Sequence, residues 1–231
     1  MRKIYIISSA CIALLFFGCN EQALKKVLPE SKQSEQTINN QENDLDYYNN
    51  CPLEGNAKRK DILALNRLKN RYNVPKESDF VKNITLKSLL KDGEDSERWT
   101  PRQAVEIVGY VSEVVKGGVE TCNCKATDDD NRDTHIEITD DPMASEFKNP
   151  LIAEVTPRFR FIMAKKGIDW STKTLRKNFK GRWVKIQGWL FYDTEHADEA
   201  DNTKPGRERN WRKTAWEIHP ITSIEIVQRP R

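Results

Sequence analysis

Five strand-like segments, with one helical region between the third and the fourth, are the feature of this sequence that most constrains its fold. The strand-like segments are rich in β-branched and aromatic residues, and the second alternates apolar and polar residues with a period of two. We predict strands at residues 105–115, 134–138, 151–156, 183–192 and 215–227, with the helical region within residues 158–179. After the first strand and a Gly-Gly turn, residues 119–124 are predicted to continue as extended structure.

This order of elements is that of the OB-fold, a five-stranded Greek-key barrel whose helix lies between strands three and four. Gly109, inside the first strand, fits such a barrel because that strand must bend sharply to join both sheets. An SH3-like barrel and a small sandwich are the competing architectures, but neither predicts a full helix before the fourth strand. We therefore predict a mainly β fold, with an OB-like barrel over residues 99–231.

A helical extension is predicted in front of the barrel, over residues 51–98. Ile62, Leu65, Leu68 and Tyr72 recur at three- and four-residue spacings, which is the pattern of an amphipathic helix. A proline ends this pattern, and a second short element is predicted within residues 79–90.

The first 19 residues have the pattern of an export signal. Two basic residues precede an apolar run that is shorter than the roughly 20 residues that span a bilayer core. The ending Leu-Phe-Phe-Gly-Cys resembles the bacterial lipobox, in which the cysteine receives a diacylglycerol and becomes the mature N-terminus. We therefore predict a lipoprotein signal peptide over residues 1–18 and a lipid anchor on Cys19. An ordinary cleavable signal followed by a chance cysteine is the alternative.

The predicted anchor makes the membrane a partner of the chain and places it in the bacterial cell envelope. Asn20 follows the lipidated cysteine, whereas an Asp there is the retention signal of the inner membrane, so the sequence favours the outer membrane. Residues 19–50 are mostly polar and are predicted to form a flexible tether. The chain has a net charge of +3, and two of its positive charges leave with the signal, so its bulk charge indicates no strong attraction to nucleic acid.

Three cysteines remain for the folded part, because Cys11 leaves with the signal and Cys19 carries the lipid. Exported proteins meet oxidising conditions, which favour disulfides. A bond from Cys51 to either Cys122 or Cys124 would tie the start of the folded part to the barrel and leave one thiol spare. A zinc pair at Cys122 and Cys124 is the alternative, which the one-residue spacing and the lack of a second cysteine pair disfavour.

The candidate functional residues are identified by the few histidines of the chain. His135 and Glu137 share one face of the second strand, Glu217 and His219 share one face of the fifth, and Glu154 lies in the third. These strands present neighbouring outer faces in an OB barrel, so we expect one polar cluster suited to a divalent metal or to acid-base chemistry. The alternative is a set of solvated outer-face residues with cross-strand charge pairing.

Three further features bear on binding. His196 lies in the long polar loop between strands four and five, and this loop frames ligands in many OB-folds. The acidic run at residues 128–130, together with Asp133, lacks the spacing of an EF-hand and is predicted to be a solvated loop rather than a calcium site. Basic residues of segment 158–185 lie beside Trp183, Trp189 and Phe191 and resemble a stacking platform for single-stranded nucleic acid, although such aromatic residues are also typical of a barrel core.

Five strings of the folded part look like a group of bacterial OB-fold-like proteins to which no activity is assigned. The strings are Cys51-Pro-Leu-Glu-Gly-Asn, Leu65-Asn-Arg-Leu-Lys-Asn-Arg, Thr134-His-Ile-Glu-Ile, Glu154-Val-Thr-Pro-Arg and Thr214-Ala-Trp-Glu-Ile-His-Pro. The resemblance covers about residues 51–227 and implies the fold, but it carries over no functional residue. The arrangement is more distantly similar to periplasmic bacterial OB-fold proteins and to the barrel of thermonucleases.

Together these features predict a lipid-anchored envelope protein whose barrel is a non-catalytic binding module for a saccharide, a peptide or another envelope protein. No cofactor is predicted for that function. Two other functions stay open. One is a metal-assisted hydrolase that uses the His/Glu cluster with a divalent metal. The other is binding of single-stranded nucleic acid, which the exported compartment disfavours.

Overall fold

The computed structural model describes residues 44–143 and 149–230. The predicted signal peptide, the lipidation site Cys19 and residues 19–43 of the predicted tether lie outside the described residues. Among the helices of the two described ranges, none is long and apolar enough to cross a membrane.

The described chain begins with a small two-stranded sheet and two short helices. These are β1 (Tyr47–Tyr48), β2 (Cys51–Pro52), α1 (Lys60–Lys69) and α2 (Leu86–Leu89). The remaining elements are β3 (Ala104–Lys116), β4 (Thr134–Thr139), β5 (Leu151–Val155), α3 (Pro157–Lys165), α4 (Thr172–Phe179), β6 (Trp183–Tyr192) and β7 (Trp216–Ile226). Single 3-10 turns occur at Glu77–Asp79, Asp129–Asn131 and Ala197–Glu199.

The five long strands close into a barrel in the order β3-β4-β5-β7-β6, with β6 returning to β3. Neighbouring strands are antiparallel except β5 and β7, which are parallel. The prediction of a mainly β fold is therefore confirmed at the level of a closed, mixed, five-stranded barrel. Each of the five predicted strand segments lies on an observed strand and differs from it by at most one residue at either end.

Two sequence predictions for the segments between strands need correction. Residues 119–124 are not extended throughout, because residues 121–125 form a turn in which Cys124 and Lys125 have φ values of 52° and 58°. The helical region before β6 is two helices rather than one. The first ends at Lys165 and is followed by Gly167, whose φ of 75° is unfavourable for other residues.

Residues 51–98 are less helical than predicted, because only α1, α2 and one 3-10 turn are helical there. They are also part of the barrel's own core. Ile84, Leu86 and Leu89 are buried in the same apolar cluster as the inward side chains of the strands. Gly109 allows this packing, because a Cβ there would lie 2.7 Å from Leu86 Cδ2 and 2.3 Å from Ile138 Cγ2. The irregularity of β3 lies nearby, between Val111 and Glu113.

The outer wall formed by β4, β5 and β7 positions the candidate site. Ile136 and Ile138 point into the barrel and are fully buried, so His135 points outward. Every residue of β5 is buried, which shows that this wall is covered on its outer side as well. The alternative of solvated outer-face residues therefore does not hold for Glu154, Glu217 and His219, which are at most 2% exposed.

Candidate functional site

Four of the predicted residues meet on the outer wall of the barrel. His135 and Glu154 are cross-strand neighbours, and His135 Nε2 lies 3.2 Å from Glu154 Oε1. His219 Nδ1 lies 3.2 Å from Glu217 Oε2 and 3.4 Å from Glu154 Oε2. The strand register thus brings two imidazoles and two carboxylates together, as the alternation of the strands indicated.

Glu137, the fifth residue expected in this cluster, does not join it. Glu137 lies two residues further along β4, where its cross-strand neighbours are Glu113 and Ile152. Burial and the nearby carboxylate of Glu113 raise the pKa of Glu137. It therefore belongs to a separate part of the wall.

A cover of charged side chains encloses the cluster. Sequence reasoning placed none of them there, and it considered only Asp133, as part of a possible calcium site with the acidic run at residues 128–130. The cover residues are Lys69 from α1, Glu120 and Asp133 from the segment before β4, and Asp193 and Arg212 from the loop before β7. Lys69 Nζ lies 2.6 Å from Glu120 Oε2, and Arg212 Nη1 lies 2.8 Å from Glu217 Oε1. Asp193 Oδ2 lies 3.9 Å from Lys69 Nζ and 3.6 Å from Arg212 Nη1. We name these five residues, together with His135, Glu154, Glu217 and His219, the polar cluster.

Helix α1 carries a sequence signal that could have revealed this cover. The buried residues of the helix are Ile62, Asn66 and Lys69, which share one face, whereas the predicted stripe through Leu65 and Leu68 is only half-buried. A lysine seven residues after a buried isoleucine lies on the buried face of the helix, and a buried lysine requires a partner. The partners are Glu120 and Asp193.

His196 lies at the edge of the polar cluster rather than within it. Its side chain is 38% exposed, and Nδ1 lies 2.6 Å from Asp193 Oδ2. This hydrogen bond raises the pKa of His196. Burial acts to raise the pKa of Asp193, but Lys69 and His196 outweigh it, and the pKa of Asp193 is lowered. The hydrogen bond therefore favours a protonated imidazole beside the ionised carboxylate of Asp193.

A cavity of about 260 Å³ opens beside the polar cluster between the segment after β3 and the loop before β7. Its lining includes five carboxylates and two imidazoles, together with Trp211 and Arg212: Glu120, Glu154, Asp193, Glu199, Glu217, His135 and His196. We name it the histidine cavity. A larger cavity of about 370 Å³ lies beside residues 48–51 and 123–128, but its lining includes no histidine and only one carboxylate, Asp128.

The polar cluster contains more carboxyl groups than its lysine and arginine pair with. Lys69 and Arg212 pair with Glu120, Asp193 and Glu217. Although burial acts to raise the pKa of Glu120, Lys69 lowers it to about 2.

The other two carboxylates, Asp133 and Glu154, make no ion pair with a lysine or arginine among the described residues. Burial raises the pKa of Asp133. Burial also raises the pKa of Glu154 well above its usual range, and repulsion from the carboxylates of Glu217 and Asp133 adds to this rise. Burial lowers the pKa of His135 despite the carboxylates around it.

Several buried polar atoms of the cluster have no hydrogen-bond partner in the described part of the chain. They are Asp133 Oδ1, His135 Nε2, Glu154 Oε2, Arg212 Nη2 and His219 Nε2. The close contact of His135 Nε2 with Glu154 is thus not aligned as a hydrogen bond. Buried polar groups are normally satisfied, because each unsatisfied one costs about 1–3 kcal/mol. The cluster therefore offers several donors and acceptors that a ligand could satisfy.

The three cysteines lie beside the polar cluster. Cys51 and Cys124 form a disulfide, with their Cα atoms 5.7 Å apart, and Cys122 is a buried free thiol. Burial and the carboxylates of Glu120 and Asp133 raise the pKa of Cys122 well above its usual range. Two groups in the described residues place ligand atoms within 4.8 Å of one another, as a metal ion requires: Glu120–Cys122–Asp133 and Asp133–Glu154–His219.

Four of the residues that resembled a nucleic-acid platform are buried. Trp189 is 6% exposed and donates a hydrogen bond to the carbonyl of Asn73, and Phe191 is fully buried against His219. Arg158 and Arg160 are buried and donate mainly to backbone carbonyls. Base stacking needs open ring faces, so these two rings do not offer it.

The fold and the site together define a closed five-stranded barrel that carries a buried cluster of carboxylates and histidines on its outer wall. Comparison with protein-family models, with curated protein sequences and with solved structures finds no significant match to this chain. The proposals below therefore rest on the sequence and on the geometry of the site.

Proposed function

We propose that this chain is a lipid-anchored, non-catalytic binding protein of the bacterial cell envelope, and that its barrel binds a small cationic ligand in the histidine cavity. The observation that carries this proposal is the excess of buried carboxylates. Asp133 and Glu154 lack a lysine or arginine partner in the described chain, although an unpaired buried carboxylate is strongly disfavoured. A cation bound in the histidine cavity would stabilise the ionised form of Glu154, which lines the cavity, whereas Asp133 does not line it.

The position of the cavity in the barrel supports a binding role. We assign the barrel to the OB-fold, because α3 and α4 lie between its third and fourth strands and the strand order is β3-β4-β5-β7-β6. OB-folds bind ligands at the loops that join strands one to two and four to five. The histidine cavity lies between the corresponding segments, which supply Glu120 and His196.

The cell-envelope part of the proposal rests on the lipobox at Cys19, with Asn20 favouring the outer membrane. The polar segment between Cys19 and the barrel would hold the cavity away from the bilayer surface. The ligand is positively charged, and either an organic amine or a metal ion would carry that charge.

Calorimetric titration of the detergent-purified full chain with spermidine, glucosamine and zinc chloride tests the binding proposal. We expect at least one of these cations to bind, and Glu154→Gln to weaken its binding at least about 10-fold because a buried charged partner is lost. Glu137→Gln is the matched control, since Glu137 lies on the same wall outside the polar cluster. A wild-type chain that binds none of the three cations would contradict the proposal.

A metal-assisted hydrolase is the second candidate, and one observation favours it. His135 faces the histidine cavity together with Glu154 and Glu217, and burial lowers its pKa. His135 would therefore be unprotonated at neutral pH, as a general base must be. Zinc-supplemented protein assayed with p-nitrophenyl acetate and bis(p-nitrophenyl) phosphate would then show turnover that His135→Gln abolishes. Turnover that is absent, or equal in both proteins, rules this candidate out.

A further inference from the structure

Glu154 belongs both to the histidine cavity and to a deeper group with Asp133 and His219. The ligand atoms of these three residues lie within 4.8 Å of one another, and no residue of the group is more than 2% exposed. Glu154 comes from β5, His219 from β7, and Asp133 immediately precedes β4. Two residues of the group are therefore held by strands, and the third directly adjoins the start of β4, which favours a pre-organised site.

Each residue of this group has one buried polar atom without a hydrogen-bond partner among the described residues. These atoms are Asp133 Oδ1, Glu154 Oε2 and His219 Nε2. The other atoms of Asp133 and His219 are engaged. Asp133 Oδ2 accepts from Asn123 Nδ2 at 2.7 Å, and His219 Nδ1 lies 3.2 Å from Glu217 Oε2. A metal-binding histidine is oriented in the same way, with its second nitrogen held by a carboxylate.

The charges around this group also indicate a cation. Lys69 and Arg212 are engaged by Glu120, Asp193 and Glu217, so neither pairs with Asp133 or Glu154. Arg158 and Arg160 are near Asp133, but their hydrogen bonds go to backbone carbonyls and to Asn70 and Thr134. The two carboxylates of the group are thus the two in the polar cluster that have no lysine or arginine partner among the described residues.

We propose that Asp133, Glu154 and His219 bind one divalent transition-metal ion, for which zinc is the first choice. This inference rests on the proposed function, in which the polar cluster is a cation site. One imidazole nitrogen beside two carboxylate oxygens suits zinc better than magnesium or calcium, which prefer oxygen ligands only. Tetrahedral zinc separates its ligands by about 3.3–3.6 Å, so atoms within 4.8 Å of one another need to move by only about 1 Å.

The neighbouring group of Glu120, Cys122 and Asp133 is the competing location for an ion. Two features disfavour it. Lys69 Nζ already lies 2.6 Å from Glu120 Oε2, and burial raises the pKa of the Cys122 thiol, which must lose its proton to bind a metal. Because Asp133 belongs to both groups, only Glu154, His219 and Cys122 distinguish them.

The test uses the detergent-purified full chain, freed of metal with a chelator and titrated with zinc chloride, with elemental analysis of the bound metal. We expect one zinc per wild-type chain and a rise in the thermal unfolding midpoint with zinc concentration. Glu154→Gln and His219→Gln should each weaken binding by at least about 100-fold. Cys122→Ser and the control Glu137→Gln should bind as the wild type does. Unfolding without zinc is measured for every variant, so that loss of binding is separated from loss of the fold.

Three results would overturn the inference. If a variant fails to fold, zinc uptake by the wild-type chain alone decides the test. The three results are a wild-type chain that takes up no zinc, a chain whose zinc binding survives Glu154→Gln and His219→Gln, and a chain whose zinc binding is lost only in Cys122→Ser. Spermidine and glucosamine separate this failure from failure of the proposed function. If either amine binds while zinc does not, the metal site is wrong and the cation-binding function stands; if no cation binds, both fail.

Discussion

Arg158 joins three separate parts of the chain through one side chain. It is 1% exposed, and its guanidinium donates to the carbonyl of Leu45, to Asn70 Oδ1 and to the carbonyl of Cys51. Asn70 in turn donates to the carbonyl of Cys122, so the hydrogen-bond network of Arg158 extends to the segment beside the polar cluster. A guanidinium is the side chain that satisfies several fixed acceptors at once.

We expect Arg158→Met to lower the free energy of unfolding by about 2–4 kcal/mol, because three buried acceptors lose their donors. Urea denaturation of the two proteins measures this loss. Arg102→Met is the matched control, since Arg102 is exposed, and it should change the free energy of unfolding by less than about 0.5 kcal/mol. Equal stabilities of the Arg158 and Arg102 variants would contradict this role.

The pair of His196 and Asp193 makes stability depend on pH in a defined direction. Its hydrogen bond to Asp193 raises the pKa of His196 in the folded chain above the unfolded value of about 6.5. The stabilisation is therefore complete below about pH 6.5 and is lost as pH rises through the folded pKa. Because the side chain of His196 is 38% exposed, solvent screening limits the stabilisation by this pair to about 0.5–1 kcal/mol.

His196→Gln tests this direction. The difference in free energy of unfolding between wild type and variant should be larger near pH 5.5 than near pH 9, where the imidazole is neutral in both folded and unfolded chains. Urea denaturation at both pH values gives the two differences. A difference that is the same at both values, or larger at high pH, would exclude the charged pair.

At the scale of single residues, the sequence predicted part of the polar cluster. His135, Glu154, Glu217 and His219 could be grouped because strand alternation fixes which residues share a face and the barrel order makes their strands neighbours. Glu137 satisfies the same alternation but lies too far along β4. Asp193 and the other cover residues come from segments without periodicity, whose path the sequence pattern does not define.

At the scale of elements, the disulfide fixes the segment that covers the polar cluster. The bond between Cys51 and Cys124 spans 73 residues of sequence and joins β2 to the turn after β3. Glu120 precedes that turn, Cys122 lies within it, and Asp133 follows it along the chain. The segment predicted as extended is bent here, because the bond and the positive φ of Cys124 and Lys125 define a turn that apolar content alone does not reveal.

Removal of the disulfide should both destabilise the chain and expose Cys122. For a loop of this length, Cys51→Ser with Cys124→Ser should lower the free energy of unfolding by about 4 kcal/mol on the loop-entropy model. The thiol of Cys122 is 1% exposed, so in the oxidised wild type it should resist iodoacetamide. Peptide mass spectrometry after timed alkylation compares the two proteins, and equally fast labelling of Cys122 in both would show that the bond does not hold the cover closed.

The strands themselves were predictable to within one residue, because their apolar and β-branched composition has a local physical cause. The N-terminal part was predictable only in outline: α1 and α2 lie on the two predicted elements, but the remaining structure does not follow from the pattern. Residues 51–98 contain few helical residues, and their apolar side chains complete the core of the barrel instead of a separate helical unit. Such packing depends on distant residues, Gly109 among them, and local patterns carry little information about it.

At the scale of the whole molecule, Cys19 is proposed to hold the barrel at a membrane. Cys19→Ser should abolish incorporation of labelled palmitate and move the protein from the membrane to the soluble fraction, because the acyl chains supply the membrane affinity. Cys11→Ser, within the predicted signal peptide, is the matched control and should leave both unchanged. A Cys19→Ser chain that still takes up the label would refute lipidation at this position.

The proposed lipid anchor and the proposed cation site together describe a barrel that binds a cation in the cell envelope. The cation site is tested most directly by anomalous diffraction from crystals of the full chain grown with zinc. We predict one peak within about 2.0–2.2 Å of an oxygen of Asp133, an oxygen of Glu154 and a nitrogen of His219. A map in which zinc binds only at the protein surface, with no peak inside the polar cluster, would contradict the claim.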